Sequence, residues 1–239
     1  MDWKSLIVVQ RTPPRILVLT AAASYAAQVV AALQRAPTWA VVLATVIPWL
    51  PILVREIAWA YRDYPWLALF YVLVITQGAH FLEHVTQVTQ VHLLMLRGPQ
   101  ARGVFGALNI EWVHFFWNSL VLLAVAVLVW RFRRNSWLWL TLDVSGWHAV
   151  EHAYILSVYL RTGIEGTPGL LSAGGAIAGG LGLVRPDMHF LYNLIETVPL
   201  VLAFVTQITA ARRSTFIETT FAIEKEINPW PFRPIRMRP

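Results

Sequence analysis

The sequence predicts an all-α polytopic membrane protein. Six transmembrane helices are expected, the last four forming a parallel internal repeat and a four-helix metal-binding bundle. Three observations predict this. Apolar residues make up 57% of the 239-residue chain and charged residues 13%, about half the charged share of a soluble domain. Several apolar runs reach the roughly 20 residues needed to cross a bilayer core. The heptad GAHFLEH at 78–84 returns as GWHAVEH at 146–152, each time inside such a run.

The first span is expected over Ile16–Leu33 and serves as the insertion signal. The start MDWKSLIVVQRTPPR lacks an early apolar core followed by a small-residue cleavage site. The second covers Thr38–Tyr61 and holds Pro48 and Pro51, which should kink it because proline removes a helix hydrogen bond. The third runs from Pro65 to Leu96, long enough to tilt or protrude. The fourth covers Leu108–Trp130, the fifth Trp137–Leu160 and the sixth Met188–Ala211. The chain thus divides into two N-terminal spans (1–62), a first repeat unit (63–134), a second (135–213) and a cytoplasmic Pro/Arg-rich tail (214–239). The tail's INPWPFRPIRMRP cannot be regular helix throughout and is expected along the cytoplasmic face or on a partner subunit.

Basic residues orient the spans. Lys4, Arg11, Arg15, Arg55, Arg62, Arg131, Arg133, Arg134, Arg212, Arg213, Lys225, Arg233, Arg236 and Arg238 fall on one side. Arg35, Arg97, Arg102, Arg161 and Arg185 fall on the other. Both termini are therefore expected in the cytoplasm of a multi-pass inner or plasma membrane protein. The same pattern accounts for the formal charge of +6, directed at anionic lipid heads and not at nucleic acid. The chain has no cysteine, which excludes disulfides, thiolate metal sites, iron–sulfur clusters and thiol nucleophiles.

The repeat extends beyond the heptads. HFFWN at 114–118 matches HFLYN at 189–193, and LRG at 96–98 matches LRTG at 160–163. Six of the seven histidines fall in these motifs. Positions i, i+3 and i+4 share a helix face, so His80, Glu83 and His84 should point together, as should His148, Glu151 and His152. His114 pairs in the same way with Asn118, and His189 with Asn193. Paired histidines and carboxylates can glue membrane helices together. The duplicated spacing favours a cation instead, since intramembrane ionisable groups mark function.

The expected metal ligands are His80, Glu83, His84, His114, His148, Glu151, His152 and His189, with Glu83 and Glu151 also as catalytic bases. Asn118 and Asn193 are weaker ligands or supports. Glu196 lies two turns past His189, as a further ligand, support or proton relay, and its repeat counterpart is Val121. All six motif histidines are expected in the outer half of the bilayer. Gln77, Gln87, Gln90 and Asp143 are candidates to orient imidazoles. Glu111 and Asp187 are interface or supporting residues, and His92 is interfacial. The glycine-rich stretch 163–183 is expected to cover the site like a lid.

H-x-x-E-H resembles the inverted zincin signature, which implies zinc-bound histidines and a glutamate base. It also resembles the histidine boxes of membrane di-iron hydroxylases and desaturases, with glutamate in place of a middle histidine. The expected function is an integral-membrane metalloprotein with a one- or two-metal centre of iron or copper, or of zinc. Oxidoreductase chemistry on a hydrophobic or quinone-like molecule is the leading expectation. The alternatives are a b-haem electron-transfer subunit, an intramembrane zinc hydrolase, and a non-enzymatic metal-binding subunit of a larger complex. Partners expected are the bilayer and other membrane subunits or a second copy.

Overall fold

The structure is a computed structural model that describes residues 12–97, 100–104 and 111–227, without the side chains of 63 and 212–227. Lys4, Arg11, the expected start of the fourth span at Leu108 and the tail from Asn228 lie outside the described residues.

The described residues are helical throughout their regular structure: α1 (Pro14–Leu33), α2 (Thr38–Val46), α3 (Leu50–Asp63), α4 (Pro65–His92), α5 (Glu111–Arg131), α6 (Ser136–Thr162) and α7 (Arg185–Ile227). The expected kink in the second span is a 3-10 turn, Ile47–Trp49, between α2 and α3. Pro48 and Pro51 each lack the N–H that a continuous α-helix would use there. The third span ends at His92, one turn earlier than expected. α6 stops at Gly163, whose left-handed φ of 69° lets its N–H close onto the Tyr159 carbonyl at 2.7 Å, a glycine-terminated helix end. α7 continues to Ile227, so residues 214–227, expected in the tail, are helical.

Among the described residues, five helical segments are long and apolar enough to cross a membrane: Pro14–Leu33, Thr38–Arg62, Pro65–His92, Glu111–Arg131 and Arg185–Ala211. α6 was expected to be a further span. It has the length, but Asp143, Ser145, His148, Glu151 and His152 dilute its apolar character. Its faces are inverted relative to a soluble helix. Ser145, His148, Glu151 and His152 are buried, while Trp139, Leu140, Trp147 and Val150 are exposed. That is the pattern of a helix with polar residues toward its neighbours and an apolar face toward lipid.

α1 and α2 pack on each other, pinned where the Ser24 hydroxyl donates to the Thr45 carbonyl at 2.6 Å. Both present mostly exposed apolar surface. α3 packs on α4, and the other four helices close a ring in which α4 packs on α7, α7 on α6, α6 on α5 and α5 on α4. At the end of the α5–α6 turn, the ring is filled by Phe70, Leu73, Val121, Val125, Leu128, Leu138, Leu200, Ala203 and Phe204. The turn itself is tied in by Asn135, whose side-chain amide donates to the Ala203 carbonyl at 2.8 Å. The other end of the ring holds the histidines.

Candidate metal centre

Each of the four ring helices delivers imidazoles to one volume. On α4, the i, i+4 spacing sets the Nε2 atoms of His80 and His84 3.3 Å apart. On α6, the same spacing sets those of His148 and His152 3.2 Å apart. Two nitrogens on one tetrahedral ion, each bonded at ~2.0–2.1 Å, stand about 3.3–3.4 Å apart. Both pairs therefore already have the separation of neighbouring ligands. α5 adds His114 and α7 adds His189. The six rings form one connected cluster, with neighbouring centroids from 4.8 Å (His80–His84) to 6.2 Å (His84–His114). It is joined across the middle by His84–His189 at 5.9 Å and His114–His152 at 5.5 Å. Among the described residues, His148, His152 and His189 can hold a metal ion: all three are buried, and their ligand atoms lie within 4.8 Å of one another.

Hydrogen bonds fix which nitrogen faces inward in three of the six rings. A carboxylate or carbonyl oxygen can only accept, so the ring nitrogen it meets must carry the proton. His148 Nδ1 donates to Glu196 Oε2 at 2.9 Å, and Ser145 donates to Glu196 Oε1 at 2.6 Å. His189 Nδ1 donates to the Arg185 carbonyl at 2.9 Å. His84 Nδ1 donates to Gln87 Oε1 at 3.0 Å. In these three rings the Nε2 lone pair is left for the cluster. This is the arrangement by which outer partners orient metal-bound imidazoles. His189 Nε2 and His152 Nδ1 are buried without a hydrogen-bond partner. An unpaired buried nitrogen costs free energy, and a cation at the His189 Nε2 lone pair removes that cost for His189, so the donor set fits a metal ion.

Asn118 and Asn193 act on the backbone. Their amides donate to the carbonyls of His114 at 2.8 Å and His189 at 2.9 Å, each clipping the turn that carries its histidine. Asn193 Oδ1 in turn accepts from Gln77 Nε2 at 3.0 Å, and Gln77 Oε1 accepts from the Trp117 indole at 3.3 Å.

Glu83 and Glu151 meet loop amides. Val104 N–H donates to Glu83 Oε2 at 2.9 Å. Leu170 N–H is shared between both oxygens of Glu151 at 3.0 Å each. In both places the preceding residue is glycine, and a β-carbon on Gly103 or Gly169 would collide with the glutamate carboxylate. Gln90 secures the first loop further, exchanging two hydrogen bonds with the Gly103 backbone at 2.7 and 3.0 Å.

The stretch 163–184 folds on itself through backbone bonds such as Ala173 N to Leu183 O at 2.7 Å and Leu181 N to Leu171 O at 2.8 Å. It is anchored over the cluster by Glu151. A second anchor is the Arg185–Glu111 pair, two-pronged at 2.8 and 2.7 Å, with Gly166 N–H also donating to Glu111 at 3.0 Å. His92 lies outside the cluster and pairs with Asp187 at 2.8 Å.

Comparison of the chain with family models, curated proteins and solved structures finds no match. The reading of the site therefore rests on its own residues.

Several contributors escaped the sequence reading. Ser145, and the pairing of Glu111 with Arg185, gave no pattern to find. Trp117 and Tyr192 did: they are the aromatic position shared by HFFWN and HFLYN. Trp117 packs against His80 at 5.5 Å and Tyr192 against His148 at 5.4 Å, walling the cluster on two sides.

Proposed function

We propose that the protein is a membrane-embedded metalloprotein with a two-ion histidine centre. The first ion binds His148, His152 and His189. The second binds His80, His84 and His114. The observation that carries this reading is the buried triad of His148, His152 and His189, with ligand atoms inside 4.8 Å and two of its Nδ1 atoms tied back by acceptors. The second ion is supported by paired distances. Ring centroids of His80–His84 and His148–His152 are 4.8 and 4.9 Å apart, and those of His80–His114 and His148–His189 are 5.9 and 6.0 Å apart. The third pair is wider in the first triad, His84–His114 at 6.2 Å against His152–His189 at 5.0 Å. Two of three distances thus agree with two copies of one helix hairpin related by a pseudo-twofold axis, and the first triad would draw in by about 1 Å around its ion.

The donors are imidazoles, which suit copper, iron and zinc. With a redox ion, copper or iron, the centre performs oxidative chemistry from the outer half of the membrane. Glu196 supports this by holding His148 as a neutral ligand with enhanced basicity. The packing favours bare ions over haem. Axial imidazoles on a haem iron oppose each other across a flat macrocycle, whereas each i, i+4 pair here is arranged side by side.

Elemental analysis of protein purified without added metal tests the reading. About two ions per chain are expected, with one lost in His152→Ala and one in His84→Ala. Unchanged stoichiometry in both variants rejects it.

A further inference from the structure

We infer that the centre takes a small anion, which enters from the loop end and docks at the seam between the two triads. This rests on the two-ion reading above. A cavity of about 490 Å3 lies beneath the loops, and its floor is made by His84, His114 and His189. The floor thus combines two histidines of one triad with one of the other. His189 contributes a buried Nε2 with no hydrogen-bond partner. A ligand in this cavity reaches both proposed ions, while His80, His148 and His152 are absent from its lining.

Charge selects the ligand. The cavity is also lined by Arg97, Arg102, Arg185, Glu111 and Glu165. Arg185 and Glu111 neutralise each other. The other carboxylates of this end are committed: Glu83 and Glu151 to loop amides, Glu196 to His148 and Asp187 to His92. The adjoining segments 98–99 and 105–110 read GP and FGALNI and contain no acid. Arg97 and Arg102, both exposed, therefore line the cavity with Glu165 as the single uncommitted carboxylate of its lining among the described residues. Their combined field raises the local concentration of anions at the mouth.

Azide is a suitable probe, because it is small, anionic and gives a charge-transfer band on copper or iron. Titration is done on the metal-loaded full chain in nanodiscs of phosphatidylcholine, then with phosphatidylglycerol added. A saturable band is expected in both, with Kd about tenfold weaker in the Arg97→Gln/Arg102→Gln double variant at unchanged metal content. Protein loaded with copper(II) or iron(III) that gives no band, or an unchanged Kd in the double variant, overturns the anion site and leaves the metal reading standing. Azide displaced competitively by phosphatidylglycerol, and only when both arginines are present, assigns the arginines to a lipid headgroup and also overturns it. Protein that holds no metal overturns both readings.

Discussion

Glu151 sits between two histidines of the proposed centre, yet its carboxylate grips the loop, and this gives a sharp prediction. Leu170 N–H donates to both of its oxygens at 3.0 Å, and Glu151 is fully buried. A charge-assisted hydrogen bond of this kind contributes roughly 1.5–3 kcal/mol. If that bond must break before the loop lifts, Glu151→Ala increases the open population by about 10–100-fold, since 1.4 kcal/mol is tenfold. Gly169→Ala breaks the same contact from the other partner, because its new β-carbon would occupy the space of the carboxylate. Glu151→Gln keeps one acceptor oxygen and should fall between wild type and alanine. The assay is stopped-flow release of the bound ion to a chromogenic chelator, with stoichiometry measured beforehand. Faster release at unchanged stoichiometry in Glu151→Ala and Gly169→Ala is expected. Wild-type release rates in both, or the loss of an ion in Glu151→Ala, would refute the reasoning, the latter by making Glu151 a ligand.

Three further outcomes are expected. Glu196→Gln leaves an oxygen for Ser145 or His148 but removes the charge that polarises the imidazole, so competition against a calibrated chelator should show metal affinity about 10–100-fold weaker. Arg185→Met strands the buried Glu111 carboxylate and should cost about 3 kcal/mol, whereas adding Glu111→Gln recovers part of the loss, because an unpaired buried charge is worse than none; thermal unfolding of single and double variants reads this directly. The chain contains no cysteine, so single-cysteine labelling has no background: Glu165→Cys should react with an impermeant maleimide from outside intact cells, and Arg134→Cys only after the membrane is opened.

Apolar runs long enough to cross a bilayer made the helices legible in the sequence, and proline and glycine marked several of their limits. Pro48 and Pro51 announced the interruption between α2 and α3, and Gly163 the end of α6. The repeat in the sequence also located the six histidines that cluster. The role of the glutamates was harder to read. Grouping i, i+3 and i+4 as one face is coarse, because residues advance by about 100° and i+3 lies about 100° from i+4. The two histidines, about 40° apart, meet the same volume, while the glutamate between them sits on the flank and reaches a loop that approaches from the side. That loop contact depends on a segment about 20 residues away, so local periodicity cannot reveal it. Ser145 and the Arg185–Glu111 pair escaped for the same reason: each is defined by a partner on another helix.

The distribution of carboxylates links the proposed ions to the proposed anion. A membrane interior tolerates neutral imidazoles far better than charges, and six of them alone carry no charge to balance a cation. Two dications would bring four positive charges to this volume. Glu196 is the carboxylate hydrogen-bonded to a cluster imidazole, while Glu111 already serves Arg185 and Glu151 serves the loop. A loaded centre therefore retains an excess of positive charge, adjacent to a cavity whose mouth is also basic. Hydroxide or another small anion at the seam would offset that excess where it is least screened. The same reasoning gives the ionic strength dependence a sign. Added inert salt should weaken anion binding, because it screens Arg97 and Arg102 at the exposed mouth, while ions held among buried histidines should be retained.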